Sequence, residues 1–250
     1  MSTSTLVGRV ERVMAMPVSF TMSDPLPASV FQPACDWLHW VEAVFSTFKA
    51  DSQITRIHTG DLDPQDADPL VREVLDACDD LYVRSDGVFD MYARGKLDPA
   101  GLVKGWAVER AAAILEEQGA RNFTINAGGD IAVRGERAPG QPWTTGVRPP
   151  LHADQIIKVI THTTTPTAIA TSGAYERGDH VVDTRDDGPV RSCLSATVTG
   201  PDLGMADAYA TIVFVMGSDG LTWLLQQPGG YEGYVVLDAE RAVSTPGFDA

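Results

Sequence analysis

The sequence predicts an α+β fold in which helices cover a mostly antiparallel sheet. Three observations lead there. Apolar residues recur at helical spacing in several separate stretches. Short apolar or alternating stretches of strand length lie between them. Across 250 residues neither a repeat nor a clear linker divides the chain, so residues 1–250 read as one domain.

Residues 5–22 alternate through Val7, Val10, Val13, Val18, Phe20 and Met22, and read as one or two strands broken near Pro17. A proline-containing turn follows from Asp24 to Pro33. Trp37, Trp40, Val41, Val44, Phe45 and Phe48 share one helical face, and Asp51-Ser52 is the expected stop. A polar segment then runs to Pro69. Val71, Val74, Leu75, Cys78, Leu81 and Tyr82 mark a second helix, followed by a turn at Ser85-Asp86-Gly87. A third helix starts near Val103, with Gly119 at its C-terminal cap. Phe123–Ile125 and Ile131–Val133 are short strands flanking Asn126–Asp130. Residues 134–154 are rich in Gly and Pro and read as exposed. Ile156–Ile160, Thr165–Thr171, Val181-Val182, Leu194–Val198 and Tyr234–Leu237 are strand-like, and Met205–Met216 and Leu221–Gln226 helical.

Composition narrows the function. Apolar residues make up 44% and charged residues 21%, ordinary values for a globular chain. The net charge of −15 argues against a nucleic-acid or anionic-membrane binder. It leaves room for a phosphate ligand held by backbone amides or a cation. Cys35, Cys78 and Cys193 lie far apart and cannot form a closed disulfide framework, which suits a reducing compartment. No apolar run is long enough to span a bilayer, and the first residues lack a secretory or lipid-anchor pattern. A cytoplasmic location and no membrane insertion are therefore expected.

Four segments carry candidate chemistry. In Asn126–Asp130 two glycines allow positive φ or a close backbone approach, and a tight hairpin is the simpler reading. Asp207 and Thr211 stand one turn apart on a helix, with Met205, Ala208, Tyr209, Ile212 and Met216 expected as the opposite, buried stripe. A carboxylate and a hydroxyl so placed suit a hard cation such as Mg²⁺. The simpler alternative is an acid complementing the helix dipole and a threonine bonded back to a carbonyl. A strand ending at Thr171-Ser172-Gly173 leads to a hairpin presenting His180 and Asp183, and histidine is the usual proton carrier near neutral pH. No nucleophile elbow surrounds Ser172. Lys104 is expected in the first turn of a helix, where backbone amides already favour anions; it is either a phosphate contact or a surface lysine. Neither a Walker A loop nor a dinucleotide fingerprint is present.

Read in order, the segments are DGVFD (86–90), LVKGWAVERA (102–111), NAGGDI (126–131), ATSGAYERGDHVVD (170–183) and GPDLGMADAYAT (200–211). This series resembles the ApbE family of FAD:protein FMN transferases from about residue 6 to residue 215. Met14-Ala15-Met16-Pro17 stands where members often carry Met-Gly-Thr, and FSTFKADSQITR (45–56) matches the family's segment after its first helix.

The resemblance implies a T-fold-like α+β domain with FAD in a central cleft and Mg²⁺, or alternatively Mn²⁺, at its pyrophosphate. Members move FMN from FAD to a Thr, sometimes Ser, hydroxyl of an acceptor protein and release AMP. By position, Asp207, Thr211 and the Gly101 carbonyl would bind the metal, making Asp207 a catalytic residue. His180 would take the acceptor's proton. Asp98, Lys104 and the backbone around Val88, Phe89 and Asp90 would contact FAD, and Met14 would line the flavin or adenine pocket. Phe48 stands where members often have Tyr, which keeps stacking and drops a hydroxyl bond. Ser172, Gly173 and Val181 would shape the adjoining wall.

Family acceptors carry an Asp-x-x-Ser/Thr-Gly-Ala-Thr-like segment, and this chain has no full copy. Three departures stand out. Ala210 replaces a second carboxylate found in many members, which argues against a mainly hydrolytic, two-metal site. The chain runs directly from Tyr92 to Leu97 where many members have an insertion, and a secretory signal is not evident. An Mg²⁺-dependent FAD pyrophosphatase and a non-catalytic FAD-binding protein are the competing readings.

Overall fold

In a computed structural model, which describes residues 6–148, 155–173, 182–183, 188–190 and 192–248, the chain opens on a hairpin of β1 (Val7–Val13) and β2 (Met16–Met22). The break falls at Met14-Ala15, whose φ angles of +53° and +59° make the left-handed two-residue turn that suits strand twist. Pro17 does not break the strand as expected. It lies opposite Arg12, one residue before β2 starts pairing with its other neighbour, so no ladder bond on that side needs its missing N–H.

Helix α1 (Gln32–Phe45) starts earlier and ends sooner than its apolar pattern predicts. Ser46 turns the chain out of the helix and its Oγ accepts from the N–H groups of Phe48 and Lys49, each at 3.2 Å. Phe48 thus leaves the helical face. The polar segment contains α2 (Gln53–Thr59), capped by Ser52 Oγ and anchored by buried Ile54. Helix α3 (Pro69–Arg84) follows, with Asp68 as cap and Pro69 in its first turn. Helix α4 (Ala100–Glu117) then leads to β3 (Phe123–Ala127) and β4 (Asp130–Arg134). Gly128 and Gly129, both at positive φ, close that hairpin.

Residues 134–148 are less open than predicted. They supply β5 (Glu136–Ala138), β6 (Gln141–Pro142) and β7 (Thr144–Val147), with Trp143, Thr145 and Val147 buried. β7 pairs with β8 (Lys158–Thr161). The chain returns to the main sheet as β9 (Thr167–Gly173), makes the short pair β10 (Val182–Asp183) and β11 (Gly188–Pro189), and continues as β12 (Ser195–Gly200). Helices α5 (Leu203–Met216) and α6 (Ser218–Leu224) precede β13 (Glu232–Val236) and the unpredicted β14 (Ala242–Ser244).

The main sheet has eight strands in the order β1-β2-β3-β4-β9-β12-β13-β14, every neighbour antiparallel. The expected α+β architecture is therefore present. Helix α5 lies against the middle of this sheet and against α4, and is buried nearly all round, rather than along one stripe. Only Met205, Thr211 and Met216 along it are partly exposed. Helix α1 packs on the far side of α4, where Trp37 Nε1 donates to the Ala107 carbonyl at 2.9 Å. Cys35, Cys78 and Cys193 are free and buried, and burial pushes the Cys78 thiol up to about 12, so it packs as a small apolar residue.

Candidate active site

The site is built where α4, α5, β4 and β9 meet. Asp202 Oδ1 accepts from Met205 N at 2.8 Å and starts α5, which places Asp207 in its second turn. Glu109 of α4 ties the same helix start to the sheet. Its Oε2 accepts from Leu203 N at 3.0 Å, and its Oε1 pairs with Arg134 of β4. Burial raises the Glu109 carboxyl, and Arg134 opposes that rise. The position of α5 is thus fixed by a charged network as well as by packing.

Asp207 is almost completely buried. Its Oδ2 accepts from the Gly105 N–H at 2.9 Å, and its Oδ1 lies 3.5 Å from Lys104 Nζ. Burial pushes this carboxyl up; the Lys104 charge holds it down and the Asp130 charge pushes it further up. In a regular helix the Gly105 N–H points at the Gly101 carbonyl. Asp207 competes for that N–H and so loosens the claim of the helix on Gly101 O. Only glycine fits at 105: an added Cβ would meet the Leu203 carbonyl and sit 2.7 Å from Asp207 Cβ.

Thr211 follows Asp207 by one turn, and its Oγ1 lies 3.2 Å from Ser172 Oγ at the end of β9. Lys104 reaches in from α4 to Asp130 Oδ2 at 2.5 Å. It stands in the second turn of α4, not the first, and faces two carboxylates inside the fold rather than the open surface. Asp130 Oδ1 accepts from Thr171 N at 3.0 Å. Its Oδ2 has no hydrogen bond of ordinary geometry among the described residues, so Lys104 serves it chiefly as a counter-ion. Asp207, the Thr211 and Ser172 hydroxyls and the contested Gly101 carbonyl each offer an oxygen donor, while Asp130 is taken up by Lys104. Such a set fits a hard divalent cation such as Mg²⁺, and also Mn²⁺.

Several of the other residues expected to contact FAD have partners within the fold. Val88 and Phe89 are buried in the core, with Phe89 N donating to Ser85 Oγ at 2.9 Å, so their side chains serve packing. Phe89 also backs Gly101, where an added Cβ would lie 3.0 Å from its ring. Asp90 Oδ1 accepts from Tyr92 N and Asp98 Oδ1 from Ala100 N, both turn-forming bonds. Met14 sits in the β1–β2 turn, its N–H donating to Glu42 Oε1 at 3.1 Å. Phe48 is 94% exposed, with Lys96 Nζ 5.3 Å from its ring centre, away from any packed wall. Gly173 ends β9 beside Ser172. His180 and Val181 lie outside the described residues.

Asp130 is the residue that sequence reasoning missed, since it read there as part of a glycine hairpin. The available signal was its place on a strand face shared with Ala132 and Arg134, which only the fold shows to be buried.

The sequence profile of the ApbE family matches residues 14–95 and 91–235. The chain belongs to the ApbE family. Among its curated relatives, the FAD:protein FMN transferase of Salmonella typhimurium is 25% identical over 166 residues, covering 63% of this chain and 46% of the relative. That of Vibrio cholerae is 27% identical over 168 residues, covering 64% and 50%. The chain thus spans about half the length, or less, of the curated relatives it matches. The structure of the flavin transferase ApbE from Vibrio cholerae superposes with a TM-score of 0.84 at 18% identity, covering 98% of each chain. The ApbE protein from Thermotoga maritima superposes at 0.82 with 22% identity, again over 98% of each. These likenesses establish the ApbE fold. No helix among the described residues is long and apolar enough to cross a membrane.

Proposed function

We propose that this ApbE-family chain is an Mg²⁺-dependent FAD:protein FMN transferase. It splits the FAD pyrophosphate, joins FMN through a phosphoester to a Thr (or Ser) hydroxyl of an acceptor protein, and releases AMP. The observation that supports this most is the convergence of Asp207, Thr211, Ser172 and Lys104, from three separate family segments, on one buried centre. The names of the curated relatives point the same way.

On this reading Asp207, Thr211 and the Gly101 carbonyl hold the metal. When bound there, Mg²⁺ would supply charge neutralisation for the pyrophosphate. Lys104 adds fixed positive charge in a site whose burial strengthens it. His180 takes the acceptor hydroxyl's proton as the new O–P bond forms and the bond to the AMP oxygen breaks. A Thr hydroxyl is a weak nucleophile, so holding it in line supplies much of the rate. Apolar, fully buried Ala210 offers no second carboxylate on α5, which favours transfer over hydrolysis.

The test is incubation of the full chain with FAD, Mg²⁺ and a domain carrying an Asp-x-x-Thr-Gly-Ala-Thr segment, followed by denaturing electrophoresis. Flavin fluorescence that stays with the acceptor supports transfer. Free FMN and AMP with a dark acceptor would instead indicate a pyrophosphatase, and intact FAD a binding protein.

A further inference from the structure

We infer that Asp130 is a positioning residue for this site: it holds the Lys104 ammonium away from Asp207 and so keeps the Asp207 carboxylate open to a cation. The inference rests on the site being an FAD and metal centre. Asp130 opens β4 directly after the Gly128-Gly129 turn and is fully buried. Its Oδ1 is tied to Thr171 N of the neighbouring strand, which fixes the carboxylate plane and aims Oδ2 at α4. Lys104 Nζ sits at that oxygen, 2.5 Å away, and 3.5 Å from Asp207 Oδ1.

One ammonium is thus divided unequally between two buried carboxylates. With all three ionised the trio carries a net negative charge, and the less neutralised oxygen is the one on α5, beside Thr211. Remove the charge of Asp130 and Asp207 becomes the nearer anion for Lys104. A tight Lys104–Asp207 pair in a low-dielectric site would have to be broken before a divalent cation could bind there. Asp130 in this role is a supporting residue that orients a metal ligand's surroundings, and such residues typically carry roughly ten- to a hundredfold in metal affinity.

The test titrates Mn²⁺ into the full chain and reads the free ion by electron paramagnetic resonance, with FAD binding followed separately by flavin fluorescence. Near-ultraviolet circular dichroism checks each variant's fold. Asp130→Asn is expected to weaken Mn²⁺ binding by roughly ten- to a hundredfold. In the Lys104→Met background the same change should have little effect, because the competing ammonium is gone. An unchanged affinity in Asp130→Asn overturns the inference. An equal loss in both backgrounds also overturns it, since Asp130 would then be a direct ligand. Lys104→Met alone must bind Mn²⁺ no more weakly than the wild type; weaker binding overturns the inference even if Asp130→Asn does not fold. A wild-type chain that binds neither Mn²⁺ nor FAD removes the reading of the site itself, whereas wild-type binding of both with no Asp130 effect removes only this inference.

Discussion

Gly105 and Asp207 meet across the contact of α4 with α5, the Gly105 N–H donating to Asp207 Oδ2 at 2.9 Å. This bond aims the carboxylate and also requires the helices to approach closely. Gly105→Ala would place a methyl 2.7 Å from Asp207 Cβ and against the Leu203 carbonyl, atoms of a rigid helix start. The expected loss is about 2 kcal/mol of stability, read as a lower denaturation midpoint, together with weaker metal binding. An unchanged midpoint would show that the interface can open.

Asp207→Asn keeps the shape of the side chain and removes its charge. It should abolish metal-dependent transfer while leaving the fold intact, because burial already disfavours the ionised form. The check is transfer rate against Mg²⁺ concentration in the variant. A rate that recovers fully at high Mg²⁺ would make Asp207 a helper rather than a ligand.

His180→Ala should leave FAD binding largely intact and block transfer, as expected of a group that only accepts a proton. Flavin-fluorescence titration and a transfer assay on the same sample separate the two. Equal loss of both would remove His180 from the role of base.

Phe48 offers a separate check on where FAD lies. It is 94% exposed, so Phe48→Ala should change stability by less than about 0.5 kcal/mol. If the ring stacks on FAD, the Kd for FAD should rise by roughly fivefold. An unaffected Kd would take Phe48 out of the binding site.

A pH effect follows from His162, which is buried beside Thr145 with Nε2 2.9 Å from Oγ1. Burial pushes its pKa from 6.5 down to about 4. Between those values the unfolded chain binds the proton and the folded chain does not, so stability is present above the upper value and is lost as pH falls towards the lower one. From about pH 7 to about pH 5 this group should remove about 2 kcal/mol. His162→Gln should flatten that part of the dependence in urea unfolding, and an equally steep profile in the variant would assign the slope to other groups.

Local patterns made much of this legible. Helix α4, helix α5 and the β3–β4 hairpin follow from short-range periodicity and two glycines; spacing put Asp207 and Thr211 one turn apart, and only the family resemblance singled them out as ligands. What escaped was set by local side-chain capping or by packing between elements. The pattern of α1 ran on to Phe48, but Ser46 captured two N–H groups and ended the helix. Strands β5 to β7 are too short to show alternation, and the burial of Trp143 and Val147 shows only once the chain is folded. Helix α5 looked one-sided because its polar residues face a buried centre instead of solvent. Asp130 escaped because its significance lies in Lys104 of another element.

The most direct test of the central claim is stoichiometry. Wild-type chain and Asp207→Asn are incubated with FAD, Mg²⁺ and an acceptor domain; AMP is quantified and the acceptor's intact mass measured in the same samples. The prediction is one FMN added to the acceptor for each AMP released by the wild type, and neither product with Asp207→Asn. AMP and free FMN beside an unmodified acceptor, or product formation that survives the loss of Asp207, would contradict it.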